Sequence, residues 1–306
     1  MTTTAIEMSG KRVMVTGATD GIGKATALAL ARMGAAVIVV GRNPNKISAT
    51  IDEITTQSGN QNIDGLQADF ASLTQIRQLA AAFAERYDYL DVLINNAGAF
   101  FGVRSETDDG FERTFGVNHL APFLLTNLLL DALSASVKRT GSARIVNVSS
   151  VAHMMTRINF DDLQNRRDYH GMSAYAQSKL ANLLFTYELA RRLTGTGITA
   201  NALHPGIVAS NFGRDQSGRW ALIIKIASRL GIMPTDGAQT SIYLASSPEV
   251  AGVTGTYFVK KRAVRSSPAS SDAAAAARLW RISEELTGLA AKTEGLPQLE
   301  TSRSAW

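Results

Sequence analysis

Tyr175 and Lys179 stand four residues apart in GMSAYAQSKLANLLF, residues 171 to 185. If this stretch is helical, one turn places both side chains on the same face, with an ammonium close to a phenol. A free tyrosine titrates near ~10, too high for efficient proton exchange at neutral pH, and a nearby positive charge favours its phenolate form. The pair therefore suits proton transfer to or from a substrate oxygen. With 7 tyrosines in 306 residues the spacing also arises by coincidence, so the rest of the chain has to decide.

A second constellation lies near the start of the chain. VTGATDGIGKATALAL contains Gly17, Gly21 and Gly23, with Asp20 and Ile22 between them, after a β-branched run and before a helical pattern. Glycines at such a junction let the backbone turn tightly and approach a diphosphate, whose charge the amides and dipole of the helix N-terminus stabilise. Tight turns also select glycine, so the preceding strand and following helix carry much of the weight. The next strand ends in VIVVGRNP, at the place where a dinucleotide site meets the adenosine ribose. An acidic residue there would hold the 2'-hydroxyl of NAD. Gly41 offers no carboxylate, whereas Arg42 can pair with a 2'-phosphate, so NADP(H) is the expected cofactor. The plain alternative for Arg42 is an exposed turn residue.

The elements that must position these groups are readable in outline. Short β-branched runs alternate with longer periodic stretches to residue 258, as in a parallel sheet covered by helices on both faces. Strands are expected at Arg12 to Val15, Ala36 to Val40, Ile63 to Leu66, Val92 to Asn95, Arg144 to Val148, Thr199 to Leu203 and Thr256 to Val259. The fold class is α/β, a doubly wound parallel sheet of about seven strands (Rossmann fold), with residues 1–306 forming a single domain. Two segments interrupt the alternation. Residues 151–173 form a long polar connection, and long connections in compact domains are often functional. In residues 206–234, Trp220, Ile223, Ile224, Ala227 and Leu230 share one helical face, fitting either an ordinary packed helix or a lid for an apolar substrate. A C-terminal extension, residues 260–306, contains a helix expected to start at Ser271 or Asp272 and to dock through Trp280.

Composition narrows the classes further. A chain that is 45% hydrophobic and 19% charged can bury a substantial core, and the lack of cysteine excludes disulfides and thiolate chemistry. The net charge of +5 has one dense focus, KKRAVR at residues 260–265, which reads as a solvated tail and not as a nucleic-acid surface. MTTTAIEMSGKR has no apolar stretch of signal length, so neither secretion nor a membrane span is expected. The expected location is cytoplasmic, with peripheral contact to an acidic lipid surface left open. His119, His153, His170 and His204 show no metal-ligand spacing and no metal is expected. His153 and His170 flank the long connection and are candidates for the substrate mouth.

With NNAG at residues 95 to 98, FGVNHLAPF around Asn118, RIVNVSS ending at Ser150, and YAQSK, the chain resembles the short-chain dehydrogenase/reductase family over roughly residues 10 to 260. Within it, NNAGAFF, VNVSSVAH, SKLANLLFTYELARRL, LHPGIV and the tail GTYFVKKRAV are similar to the retinol dehydrogenase-like reductases. The resemblance implies hydride exchange between NADP(H) and a carbonyl or alcohol. Tyr175 would act as the proton donor, Ser150 would hold the reacting oxygen, and Asn118 would serve a water-linked relay to Lys179. Lys179 would also bond the nicotinamide ribose. It further implies that Asp69 accepts from the adenine, that Asn95, Ala97 and Gly98 line the cofactor, and that Pro205, Gly206 and Val208 pass the nicotinamide carboxamide. For Asp69 a simple helix cap is the alternative. Phe100 and Phe101 suit the apolar wall of a site for a hydrophobic aldehyde or ketone. Two rival readings stand beside this one: a non-enzymatic NADP-binding sensor or scaffold, and a protochlorophyllide reductase-like enzyme, which would need a cysteine. A homo-oligomer through the long helices is left open.

Overall fold

The computed structural model describes residues 7–206 and 233–289. Its sheet contains β1 (Arg12–Thr16), β2 (Ala36–Gly41), β3 (Ile63–Gln67), β4 (Val92–Asn95), β5 (Ala143–Val148), β6 (Ile198–His204), β7 (Tyr257–Val259) and β8 (Arg262–Val264). The order is β3-β2-β1-β4-β5-β6-β7-β8, and neighbours through β7 pair in parallel. Among the described residues the longer helices are α1 (Gly21–Arg32), α2 (Pro44–Ser58), α3 (Leu73–Arg86), α4 (Ala121–Leu128), α5 (Leu130–Thr140), α6 (Gly171–Arg192), α7 (Pro234–Ser246) and α8 (Ala273–Thr287).

The alternation of strand side chains explains the near-continuous apolar runs. In β1, Val13 and Val15 pack with Leu30, Ile54 and Ile242 on one face, while Met14 joins Ile76, Phe123 and Leu180 on the other. Both faces are covered by helices, so both need apolar side chains. β1 pairs with β2 on one side and β4 on the other, and the chain winds outward in opposite directions from that seam. The crevice at the carboxyl ends of these two strands is where a doubly wound sheet receives its ligand.

The sheet has eight strands where about seven were expected. β8 pairs antiparallel with β7 through a turn at Lys260 and Lys261, which adopt φ of 49° and 63°. Asparagine and glycine are the usual residues for that left-handed conformation, so two lysines give no hairpin signal. All three residues of β8 are exposed, leaving no apolar alternation to read.

The C-terminal helix begins where expected, with the Asp272 carboxylate accepting from Ala275 N at 2.9 Å. Trp280 lies within 5.0 Å of the Phe123 ring and 5.8 Å of the Phe185 ring, and the Arg192 guanidinium sits 4.2 Å above its face. Those contacts join α8 to α4 and α6. As a result α6 is buried along most of its length. Among the described residues no single helix is long and apolar enough to cross a membrane.

Because Trp280 is only 5% exposed, Trp280→Ala should cost about 3–5 kcal/mol of stability. Urea unfolding should show the loss as a lower midpoint, and an unchanged midpoint would mean that α8 contributes little to the core.

Candidate active site

The crevice begins with the turn between β1 and α1. Gly17 has φ of 64°, and a Cβ there would sit 3.0 Å from Ala97 Cα. At Gly23 a Cβ would fall 2.2 Å from the Gly17 carbonyl oxygen and 2.5 Å from Asn96 Nδ2, so only glycine lets α1 pack so close. Asp20 caps α1 by accepting from Gly21 N at 2.7 Å, and Ile22 packs into the core beside it. Thr16 braces the turn: its hydroxyl accepts from Asn96 N and Ala97 N, each at 3.0 Å. The result is a narrow cradle at a helix N-terminus with no side chains projecting from its glycines, which fits a diphosphate.

Asn96 is a residue that the sequence reading passed over. Its amide donates to the Thr16 carbonyl at 2.8 Å and the Gly17 carbonyl at 3.3 Å, fastening the cradle to the end of β4. Asn95 was named for the cofactor, but its amide points into the core, donating to Thr126 Oγ1 and Asn147 Oδ1, each at 2.8 Å. In a strand, successive side chains take opposite faces, and nothing in the doublet of asparagines shows which face is which.

Arg42 is exposed at the carboxyl tip of β2, and no described carboxylate forms an ion pair with it. Asp69 lies just past β3 and accepts from Ala71 N at 2.9 Å. It is not the cap of α3, a place taken by Ser72. Pro205 and Gly206 leave β6 next to the end of β5, since Val148 pairs with Leu203. Val208 and most of the proposed lid, including Trp220, Ile223, Ile224, Ala227 and Leu230, lie outside the described residues.

At the centre, Ser150, Tyr175, Lys179, Asn118 and Gly98 come together. The half-buried Ser150 leaves β5 in extended conformation, and its hydroxyl bonds both Ala152 N, at 3.2 Å, and the Tyr175 phenol. Ser149 turns the other way and donates to the Lys179 carbonyl at 2.7 Å. The Lys179 ammonium is buried, donates to the Val148 carbonyl at 3.2 Å and lies 5.5 Å from the Tyr175 ring centre. A Cβ added to Gly98 would come within 3.3 Å of both Lys179 Nζ and Asn118 Oδ1. Phe100 is buried with its ring edge-on to Tyr175 at 6.1 Å, while Phe101 lies under the Arg113 guanidinium at 5.3 Å.

Asn118 sits in a π-helical turn, Gly116–Leu120, that leads into α4. Its amide is taken up by the protein: Oδ1 accepts from Ala99 N at 2.8 Å, and Nδ2 donates to Ala99 O at 2.9 Å and Ser178 Oγ at 3.0 Å. The side chain therefore clamps the segment after Gly98 to α6. Four residues on, Pro122 has no N–H to offer the Asn118 carbonyl in an α-helical bond.

One electrostatic expectation is reversed. Burial pushes the Tyr175 phenol up to about 12, with the Ser150 bond pulling the other way, and lowers Lys179 from 10.5 to about 8. Desolvation disfavours phenolate and ammonium alike. The phenol is thus held in its protonated form.

The histidines also resolve. His119 is fully buried beside Ser283 Oγ, at 2.9 Å, and burial lowers it to about 4. His204 is likewise lowered to about 4 by burial and then by neighbouring His153. His170 is exposed and pairs with Asp168 at 3.2 Å. His153 does not line the mouth: its ring is wholly buried behind Ser150.

Residues 11–220 match the family model for short chain dehydrogenase. The chain belongs to the short-chain dehydrogenase/reductase family. This short-chain dehydrogenase/reductase is 44% identical over 290 residues to human retinol dehydrogenase 13, covering 92% of this chain and 86% of that protein. A solved structure of an uncharacterised Mycobacterium paratuberculosis protein is 36% identical, with a TM-score of 0.73 and coverage of 92% of this chain and 95% of that one. The RhlG/NADP active-site complex from Pseudomonas aeruginosa is 28% identical, with a TM-score of 0.67 and coverage of 83% and 96%. The enzyme is an oxidoreductase acting on CH–OH groups.

The lowered Lys179 makes a stability prediction whose sign follows from linkage. Between about 8, in the folded state, and 10.5, its ordinary value, the unfolded chain holds the extra proton, so stability should rise with pH there. Lys179→Met should flatten that rise in urea titrations across the same window. Parallel slopes for the two proteins would contradict a buried, destabilised ammonium.

Proposed function

We propose that the protein is an NADP(H)-dependent reductase of hydrophobic aldehydes or ketones, running in reverse as an alcohol dehydrogenase. The observation that carries the reading is the Ser150–Tyr175 hydrogen bond, with the Lys179 ammonium behind it and the glycine cradle alongside. When bound, NADPH supplies the hydride that reduces the carbonyl carbon. Tyr175, kept protonated by burial, gives its proton to the carbonyl oxygen, and the Ser150 hydroxyl holds that oxygen in register and stabilises its growing charge. Lys179 keeps a positive charge next to the phenolate that results.

The preference for NADP(H) rests on Arg42 at the β2 tip and on Gly41, which presents no competing carboxylate. The NADP complex of the similar RhlG is consistent with it. A hydrophobic substrate is favoured by the surroundings. Phe100 backs the Tyr175 ring, and Val151, Met154 and Met155 after Ser150, Met172 before Tyr175, and Val103 after the NNAG segment are all exposed large apolar residues. An apolar rim of adaptable methionines suits a flexible lipophilic molecule.

NADPH and NADH oxidation against a panel of aromatic, aliphatic and isoprenoid aldehydes tests the proposal. Tyr175→Phe should lower kcat by roughly 10²- to 10⁴-fold while NADPH still binds. If neither protein turns over any carbonyl yet both bind NADPH, a sensor role replaces the enzymatic one. Arg42→Ala should weaken NADPH by about 10- to 100-fold, the worth of a charge-assisted bond of ~1.5–3 kcal/mol, and leave NADH unchanged. Equal weakening of both cofactors would remove Arg42 from the 2'-phosphate.

A further inference from the structure

His153 makes two hydrogen bonds that no step of the proposed reaction uses. Its Nδ1 lies 2.6 Å from the Ser150 carbonyl oxygen, and its Nε2 accepts from Ser267 N at 3.1 Å. A carbonyl only accepts and a backbone N–H only donates, so one state satisfies both bonds: a neutral ring with its proton on Nδ1. The ring is 0% exposed and stands edge-on to Tyr257 at 5.1 Å.

What the ring connects gives it a purpose. On one side is the peptide that sets the direction of the Ser150 side chain, whose extended φ and ψ of −159° and 156° accompany its bond to Tyr175. His153 supplies that carbonyl with its own backbone N–H as well, at 3.2 Å. On the other side is the segment between β8 and α8. Ser266 in that segment bonds the Tyr187 hydroxyl of α6 and the Ser270 hydroxyl, each at 2.7 Å. One imidazole therefore ties the carbonyl of Ser150 to a segment that is itself fastened to the helix bearing Tyr175.

We propose that His153 is a positioning residue, whose Nδ1–H bond to the Ser150 carbonyl aims the Ser150 hydroxyl at the substrate oxygen and whose Nε2 anchors the ring on the docked C-terminal segment. The inference rests on the reading of Ser150 as the group that holds the reacting oxygen. It separates two functions in one ring, and two substitutions separate them experimentally. In His153→Asn the amide nitrogen takes the place of Nδ1 and the acceptor for Ser267 is lost. In His153→Gln the amide reaches the place of Nε2 and the donor to Ser150 is lost.

The test uses the full-length protein, NADPH and the best aldehyde of the panel. H153Q should lower kcat by roughly 10- to 100-fold, the cost of a small misplacement of a reacting group, without changing KM for NADPH. H153N should recover most of that loss, although both variants lose one of the two bonds. In an S150A background H153Q should slow turnover no further. ¹⁵N NMR of histidine-labelled protein, with H153N assigning the signal, should show a neutral ring protonated on Nδ1. Losses that are equal in H153N and H153Q and follow their thermal stability would overturn the positioning role. So would a loss that persists in S150A, or a ring protonated on Nε2. A slow S150A beside a fully active H153Q defeats this inference alone, whereas a fully active S150A defeats the reading of Ser150 and the inference with it.

Discussion

The constraint around which the site is organised is the burial of an ammonium. Lys179 is 4% exposed on a helix enclosed along most of its length, and a charge in such a place needs fixed polar partners. The protein supplies them from several elements at once. The Val148 carbonyl ends β5 beneath it, Gly98 leaves room on another side by having no side chain, and Asn118 lies close enough to share that space. The π-helical turn at the entry to α4 brings the Asn118 amide to both polar groups of Ala99 and to Ser178, joining the segment after Gly98 to the helix of Tyr175 and Lys179.

The parts of this arrangement that sequence makes visible are those with a short-range physical signature. Seven strands were legible because sides that are both covered demand apolar runs, and the start of α8 was legible because Asp272 is a good cap. The cradle and the Tyr175–Lys179 pair were legible because their spacing reflects a turn and a helix, whereas Ser150 was named through the family resemblance. What escaped depends on facing or on solvent. Asn95 and Asn96 are the same residue type with opposite tasks, decided by strand alternation. The rise of the Tyr175 phenol comes from enclosure by distant parts of the chain, which the local spacing with Lys179 does not report. His153, three residues after Ser150, looked like a residue for the mouth and is instead buried against Ser267, 114 positions away.

The C-terminal segment proves to be more than an appendage. It places Ser267 at His153, Ser266 at Tyr187, Ser283 at His119 and Trp280 between Phe123 and Phe185. Its contacts therefore reach the β5 exit, α6 and the π-helical turn, the three places that carry Ser150, Tyr175 with Lys179, and Asn118. Long-range ties of this kind make the geometry of the site a property of the assembled fold and not of any one loop.

The added strand β8 has a consequence for how the molecule behaves among its neighbours. A parallel sheet ending at β7 would offer a row of open backbone groups on which another chain could grow. β8 takes up that row and presents in its place a strand of three exposed residues, flanked by Lys260, Lys261 and Arg265 and containing Arg262. Two such edges approaching one another would meet charge before backbone, and a strand so short gives little purchase for pairing. The lysine turn thus acts as a guard against sheet-to-sheet aggregation at the edge of the sheet opposite β3.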